Sequence, residues 1–335
     1  MSKPIVSEGQ IFSRNRTLGL ILTAAIYLGA GLVVYFTIEQ EAIDKALALP
    51  ATVLLAMLAL SLANYVGRAW RWLYLTKHLE LAVPARNNSL YYLAGYALTA
   101  TPGKAGEAVR LWLLKSGHAV RYSQSLPLML ADRIVDMWAI VVLVFLSMSG
   151  FAAYHWQSIA MGLFVAAGSV PILAPRVLLP LFPLFYRWAP RRVRLIVKAR
   201  RLVRSMADSI DAKTYGITLL PTVLGWFAEC ASLYVVLLYF DAGITLSQAT
   251  FVFSFAMIVG ALSMLPGGLG STEATMVVLL KTLGVDLGTA LAATAIVRMT
   301  TFWFAVILGI GCTPAALNAA RRASRLLVAR NPEPV

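Results

Sequence analysis

Apolar runs long enough to cross a bilayer recur six times along these 335 residues, and no other feature constrains the fold so strongly. A spanning α-helix needs about 20 mostly apolar residues, each adding about 1.5 Å of rise. Such runs lie at roughly 18–38, 47–67, 124–150, 157–175, 214–240 and 288–313. Only 13% of residues are charged and 59% are hydrophobic, whereas soluble domains carry about 25% charge. A water-facing surface cannot be built from that composition, and disordered, fibrous and disulfide-scaffold classes are excluded with it. The sequence predicts an all-α polytopic membrane protein forming one integral membrane domain over 1–335.

Two further apolar stretches, 89–115 and 248–283, break near their middles at Pro-Gly. Each half is too short to span. They read as re-entrant helical hairpins, tolerated where the irregular backbone is buried in protein or lines a wet cavity. Lys and Arg in short loops set the orientation. Lys3, Arg14 and Arg16 place 1–17 on the cytoplasmic side, and no secretory signal is read there. Segment 176–213 is a basic cytoplasmic linker, and 314–335 a basic cytoplasmic tail with Arg321, Arg322, Arg325 and Arg330. The expected location is the cytoplasmic (inner) membrane with both termini cytoplasmic. Within the linker, 190–212 reads as a basic amphipathic helix on the inner leaflet, either a topology anchor or a lipid or partner site. The net charge of +14 is assigned to this face and to anionic lipid, not to nucleic acid.

The hairpins carry an internal repeat. Pro102-Gly103-Lys104-Ala105-Gly106-Glu107 has its counterpart in Pro266-Gly267-Gly268-Leu269-Gly270-Ser271-Thr272-Glu273. Arg133 precedes Trp138 by five residues, as Arg298 precedes Trp303. Pro102 and Pro266 are 164 positions apart, Arg133 and Arg298 165. The first hairpin enters from inside and the second from outside. The repeat over 18–175 and 214–313 is therefore expected to be inverted, an architecture that secondary transporters use. Each PGxxG is expected to open a half-helix, about 104–115 and 270–283, whose free N–H groups face the cavity.

Charge inside the spans costs at least about 2.5–3.5 kcal/mol per residue on insertion scales, so the exceptions carry information. Arg68, Arg71, Lys104, Arg110, Arg133 and Arg298 are the candidates for holding a phosphate, which the planar guanidinium fork suits. Glu107, Asp132, Asp136, Glu229 and Glu273 are the candidates for charge balance and for coupled protons. Pro102, Gly103, Gly106, Pro266, Gly267, Gly268 and Gly270 form the hairpin breaks. The competing expectation is structural: Glu107 with Arg298, or Glu273 with Arg133, pairing across the repeat axis, and Arg68 and Arg71 snorkelling at a helix end. The tryptophans and tyrosines are assigned to interface or core. No metal site, cofactor or catalytic arrangement is expected, because the histidines are scattered and Cys230 and Cys312 stand alone.

Asn64…Arg68-Ala69-Trp70-Arg71-Trp72, the segment Pro102-Gly103-x-x-Gly106-Glu107-x-x-Arg110, Asp132-Arg133 and Pro266-Gly267-Gly268-Leu269-Gly270-x-x-Glu273 resemble the membrane domain of the lysylphosphatidylglycerol synthase/flippase-like family. The resemblance covers about 15–315 and implies a lipid-translocating membrane domain. Some members fuse it to a soluble aminoacyltransferase, and this chain ends at Val335 with only a short basic tail. The expected function is flipping a phosphate-bearing lipid, a phospholipid or polyprenyl-phosphate type, by alternating exposure of the central site, with membrane lipids as partners and no enzyme activity. A lipid-headgroup enzyme, an accessory subunit of a lipid-modifying complex and a homo-oligomer are the alternatives.

Overall fold

The computed structural model describes residue 44, residues 47–148 apart from 100 and 102–104, isolated positions between 156 and 204, and residues 212–330 apart from 264. Among the described residues all regular structure is helical. The helices are α1 (Ala51–His78), α2 (Ala85–Ala94), α3 (Ala105–His118), α4 (Tyr122–Ser147), α5 (Ala212–Tyr239), α6 (Leu246–Leu262), α7 (Ser271–Thr282), α8 (Leu287–Arg298) and α9 (Phe304–Arg330). A 3-10 turn, Gly95–Leu98, prolongs α2, and another, Pro266–Gly268, separates α6 from α7. A π turn, Met299–Trp303, joins α8 to α9. The expected spans 18–38 and 157–175 and the amphipathic helix 190–212 lie outside the described residues, isolated positions apart.

Three described helices are long and apolar enough to cross a membrane: Ala51–His78, Lys213–Tyr239 and the continuous Leu287–Leu327. Helix α4 has 26 residues, also enough to span, yet carries Asp132, Arg133 and Asp136 on its inner face. The chain is an all-α polytopic membrane protein. Two elements run further than the sequence suggests. Helix α1 continues to His78 instead of ending near 67, because Arg68 and Arg71 are buried and do not turn to the lipid surface. The helix expected at 288–313 continues to Arg330, so most of the basic tail is helical.

Prolines and left-handed residues set the boundaries. Pro50 and Pro84 immediately precede α1 and α2, where a missing N–H costs nothing. Glu80, Ala119, Asp241 and Gly284 take positive φ just after α1, α3, α5 and α7 and turn the chain out of each helix. The elements recur in order: α1 to α4 start at 51, 85, 105 and 122, and α5 to α8 at 212, 246, 271 and 287. Helices α1 and α5 have 28 residues each and run antiparallel. Tyr239 meets Ala48, Glu229 meets Asn64, Thr222 meets Arg71 and Thr214 meets His78. Their midpoints touch at Asn64 and Gly225, where a Cβ on the glycine would come within 2.8 Å of Asn64 Oδ1.

Two apolar cores flank this crossing. One gathers α4, α5, α6, α7 and α8 around Phe251, Phe253 and Leu280; the other gathers α1, α2, α3 and α9 around Trp72, Tyr91 and Leu114. Glycine permits the closest approach in the second core. At Gly309 of α9 a Cβ would collide with the backbone of Ala97 and Tyr96 in the turn after α2. Gly309→Val is therefore expected to lower unfolding stability in detergent by about 1–3 kcal/mol through overpacking. Gly311→Ala, whose Cβ meets nothing within 4 Å, serves as the neutral control in the same thermal-unfolding measurement.

Candidate functional site

Three positions one helical turn apart on α1, Asn64, Arg68 and Arg71, share a buried face. Opposite them α4 presents Asp132 and Asp136, also one turn apart and each 1% exposed. Arg71 is fully buried and joins three helices. Its Nε donates to Asp132 Oδ1 at 2.8 Å, its Nη2 to the same oxygen at 2.5 Å, and its Nη1 to Asp136 Oδ1 at 2.8 Å and Thr222 Oγ1 at 3.0 Å. Arg68 Nη2 donates to Asp136 Oδ2 at 2.9 Å. Trp226 Nε1 donates to Asp136 Oδ1 at 3.1 Å. Arg133 lies 3.5 Å from Asp132 and 3.6 Å from Asp136, and Arg110 is 3.8 Å from Asp132. Four guanidinium groups thus converge on two carboxylates.

Arg110 reaches this cluster through aromatic rings. Its guanidinium carbon stands 3.9 Å from the Tyr92 ring centre, 5.2 Å from that of Tyr96 and 5.6 Å from that of Trp72, with Nε donating to the Tyr92 carbonyl. Such cation–π contacts gain strength when desolvated. Gly95 makes the room, since a Cβ there would land on Arg110 Nε.

The second hairpin supplies the other wall. Pro266 opens the 3-10 turn, and Gly267, Gly268 and Gly270 all take positive φ, which only glycine adopts without strain. Helix α7 then starts at Ser271. Its N-terminus is not an open anion slot. Glu273 folds back, Oε2 accepting from Gly270 N–H at 2.7 Å and Oε1 from Arg298 Nε at 2.5 Å. The ion pair therefore forms within one repeat, correcting the cross-axis pairing of Glu273 with Arg133, while the expected pairing of Glu107 with Arg298 involves a side chain outside those described. The geometry favours it because Glu273, in the first turn of α7, and Arg298, at the end of α8, belong to packed neighbours. Arg298 also stacks on Phe302 at 4.5 Å, and the π turn beyond it leaves the Thr301 carbonyl to accept from the Tyr65 hydroxyl.

These walls enclose a cavity of about 410 Å³, within the usual range for a small ligand. Arg68, Arg110, Arg133, Arg298, Asp136 and Glu229 are its described charged lining, with Tyr65, Tyr96, Trp226 and Phe302 as its aromatic lining. A second groove, between Trp138, Phe145 and Leu163, is apolar throughout and offers no chemistry. Of the residues singled out from sequence, Arg71 and Asp132 sit behind the cavity as its support, and Glu273 reaches it through Arg298. Pro102, Gly103 and Lys104 lie outside the described residues, and of Gly106 and Glu107 only the helical backbone of α3 is described. Neither Arg68 nor Arg71 snorkels. Sequence reasoning gave the aromatics no role, yet Trp226 holds Asp136 and Tyr92 holds Arg110. Arg110 in a hairpin at helical distance from Tyr92 and Tyr96 was the available signal.

Comparison with known proteins agrees with this architecture. The family described as Lysylphosphatidylglycerol synthase TM region matches residues 18–309. A UPF0104 membrane protein of Methanothermobacter thermautotrophicus is 25% identical over 275 residues, covering 73% of this chain and 79% of that one. The UPF0104 membrane protein PH1989 of Pyrococcus horikoshii is 24% identical over 235 residues, covering 62% of this chain and 70% of its own length.

Removing Arg71 leaves two buried carboxylates short of their main partner. Arg71→Met is expected to destabilise the protein by about 3–5 kcal/mol, measured by denaturant unfolding in detergent. Arg71→Lys keeps the charge but loses the fork that reaches both aspartates, so it should recover only part of that loss.

Proposed function

This chain belongs to the Lysylphosphatidylglycerol synthase TM region family, and on that premise we propose that it flips a phosphate-bearing lipid across the cytoplasmic membrane. The lipid class is a phospholipid or a polyprenyl-phosphate lipid. The headgroup enters the arginine-lined cavity while the acyl or prenyl tails stay in the bilayer. The chain acts as a transporter and catalyses no covalent step. Both termini face the cytoplasm, where the arginines at the end of α9 meet anionic headgroups.

One observation carries the reading: Arg68, Arg110, Arg133 and Arg298, drawn from four helices and both repeats, line one cavity. A protein needing only helix–helix adhesion achieves it with Ser, Thr and Gly at far smaller insertion cost. Arginine held by aspartate and aromatic rings is preorganised, so less side-chain entropy is lost when a phosphate arrives. The antiparallel crossing of α1 and α5 supports the alternating mechanism. It puts the cavity where two oppositely oriented halves meet, the place at which rocking one half against the other changes access.

The roles divide accordingly. Arg298 and Arg133, near equivalent positions of the two repeats, and Arg68 bind the phosphate oxygens. Arg110 and Lys104 supply further positive charge from the first hairpin. Asp132, Asp136, Glu107 and Glu273 hold these cations in place while the cavity is empty.

In proteoliposomes carrying a fluorescent phospholipid, the purified chain is expected to accelerate exchange between leaflets. Arg133→Ala and Arg298→Ala should each slow it by at least about tenfold, the equivalent of one charge-assisted hydrogen bond of about 1.5–3 kcal/mol. Native mass spectrometry of the same proteins should show an anionic lipid retained by the wild type and lost from the double variant. Full activity in both single variants would overturn the assignment.

A further inference from the structure

One buried carboxylate stands apart from the charge network. Glu229 is 5% exposed, lines the cavity, and sits one turn beyond Gly225 at the crossing of α1 and α5. Asp132, Asp136 and Glu273 each meet an arginine within 4 Å. Among the described residues Glu229 meets none. Its hydrogen-bond partner is an amide: Asn64 Nδ2 donates to Glu229 Oε1 at 2.5 Å, while Asn64 Oδ1 is buried without a partner.

That pairing has a chemical property no arginine has. A side-chain amide carries a donor and an acceptor related by a half-turn about its last torsion, and the two ends are assigned from their surroundings. Facing an ionised carboxylate, it donates through N–H. Facing a protonated carboxyl, it turns and accepts through its carbonyl. The partner is satisfied in either protonation state, so neither state leaves a buried group unmet at this bond.

We propose that the Glu229–Asn64 pair is the proton-binding site that couples headgroup movement to the proton gradient, a deepening that rests on the transport reading above. The titratable and charged groups that share the cavity with Glu229 are Tyr65 and Arg68 from α1, Tyr96 from the turn after α2, Arg110 from α3, Arg133 and Asp136 from α4, and Arg298 from α8. From α6 comes Ser254, bonded to the neighbouring Cys230, and no charge. When a phosphate occupies Arg68 and Arg298, the positive potential that favours ionised Glu229 is cancelled. A proton from water then adds to the carboxylate, and it leaves to water when the phosphate departs. Binding of anion and proton is thus mutually favourable. Asn64 lies at the middle of α1 and Glu229 one turn past the middle of α5.

The test uses Glu229→Gln, which keeps the size and an acceptor for Asn64 and removes the titration. Infrared difference spectra of the purified protein, without lipid, are expected to show a protonated-carboxyl band that grows as pH falls and is absent from Glu229→Gln. Binding of phosphatidylglycerol, a phosphodiester whose headgroup stays singly charged in this range, should tighten by up to about tenfold per unit fall in pH for one linked proton. In Glu229→Gln that dependence should vanish. Lipid movement with an unchanged pH profile in Glu229→Gln overturns the proton site and leaves transport standing. A titrating band that Glu229→Gln lacks, with no lipid moved by any variant, supports the proton site and fails the transport reading. Binding that responds to sodium at fixed pH, with no titrating band, also overturns the proposal.

Discussion

The grip of Arg71 on Asp132 and Asp136 is the constraint from which the rest of the architecture follows. Taking three full charges out of water costs several kcal/mol each, and the interior tolerates them only when geometry and extra hydrogen bonds are complete. Arg71 meets that demand with bonds to both aspartates and to Thr222. Those bonds fix the rotation of α1, α4 and α5 about their own axes. Once the faces are fixed, Arg68 and Asp136 turn to the cavity, and the position of Trp226 over Arg68 at 5.2 Å follows. The network is therefore less a source of net stability than a device that selects one packing among many apolar alternatives.

Backbone proximity is the second determinant. Gly95 clears the path of Arg110, Gly260 lies against Thr272 and Gly268, and Gly309 lets α9 press on the turn after α2. The first two contacts close a hairpin on itself, and the third joins a hairpin to a long helix. Small residues let each interrupted hairpin close tightly, while large apolar side chains such as Phe251, Phe253 and Tyr91 seat the hairpins in the two cores. The π turn at Met299–Trp303 works the same way from the other wall, freeing a carbonyl that Tyr65 then anchors.

Much of this was legible in the sequence, for identifiable reasons. Apolar runs of spanning length announce helices, because lipid offers the backbone no other partner. Pro-Gly pairs announce breaks, and α7 begins within a residue of its expected start. The charged residues Arg68, Arg110, Arg133, Asp136, Glu229 and Arg298 were identifiable because charge in an apolar run is costly. Pairing was not legible. Glu273 chose Arg298 of its own half, a decision set by the packing of α7 on α8, which one-dimensional spacing does not encode. The role of the aromatics was hidden for a similar reason, since Tyr92 and Trp72 look like any interfacial ring until Arg110 is placed among them. The ends of α1 and α9 were hidden because buried arginines and a basic helix break the apolar rule.

The meeting of α1 and α5 at their midpoints bears on how such a molecule could have arisen. Asn64 and Gly225 are each the fourteenth residue of their helix, and Arg68 and Glu229 each the eighteenth. In an antiparallel crossing only the midpoint residues face their own equivalents, so a homodimer of the first half would set asparagine against asparagine, where the side chains collide. With two different halves in one chain, that position is released from its twin. An amide can then occupy the axis against the bare backbone of Gly225 and reach the carboxylate of Glu229 one turn away.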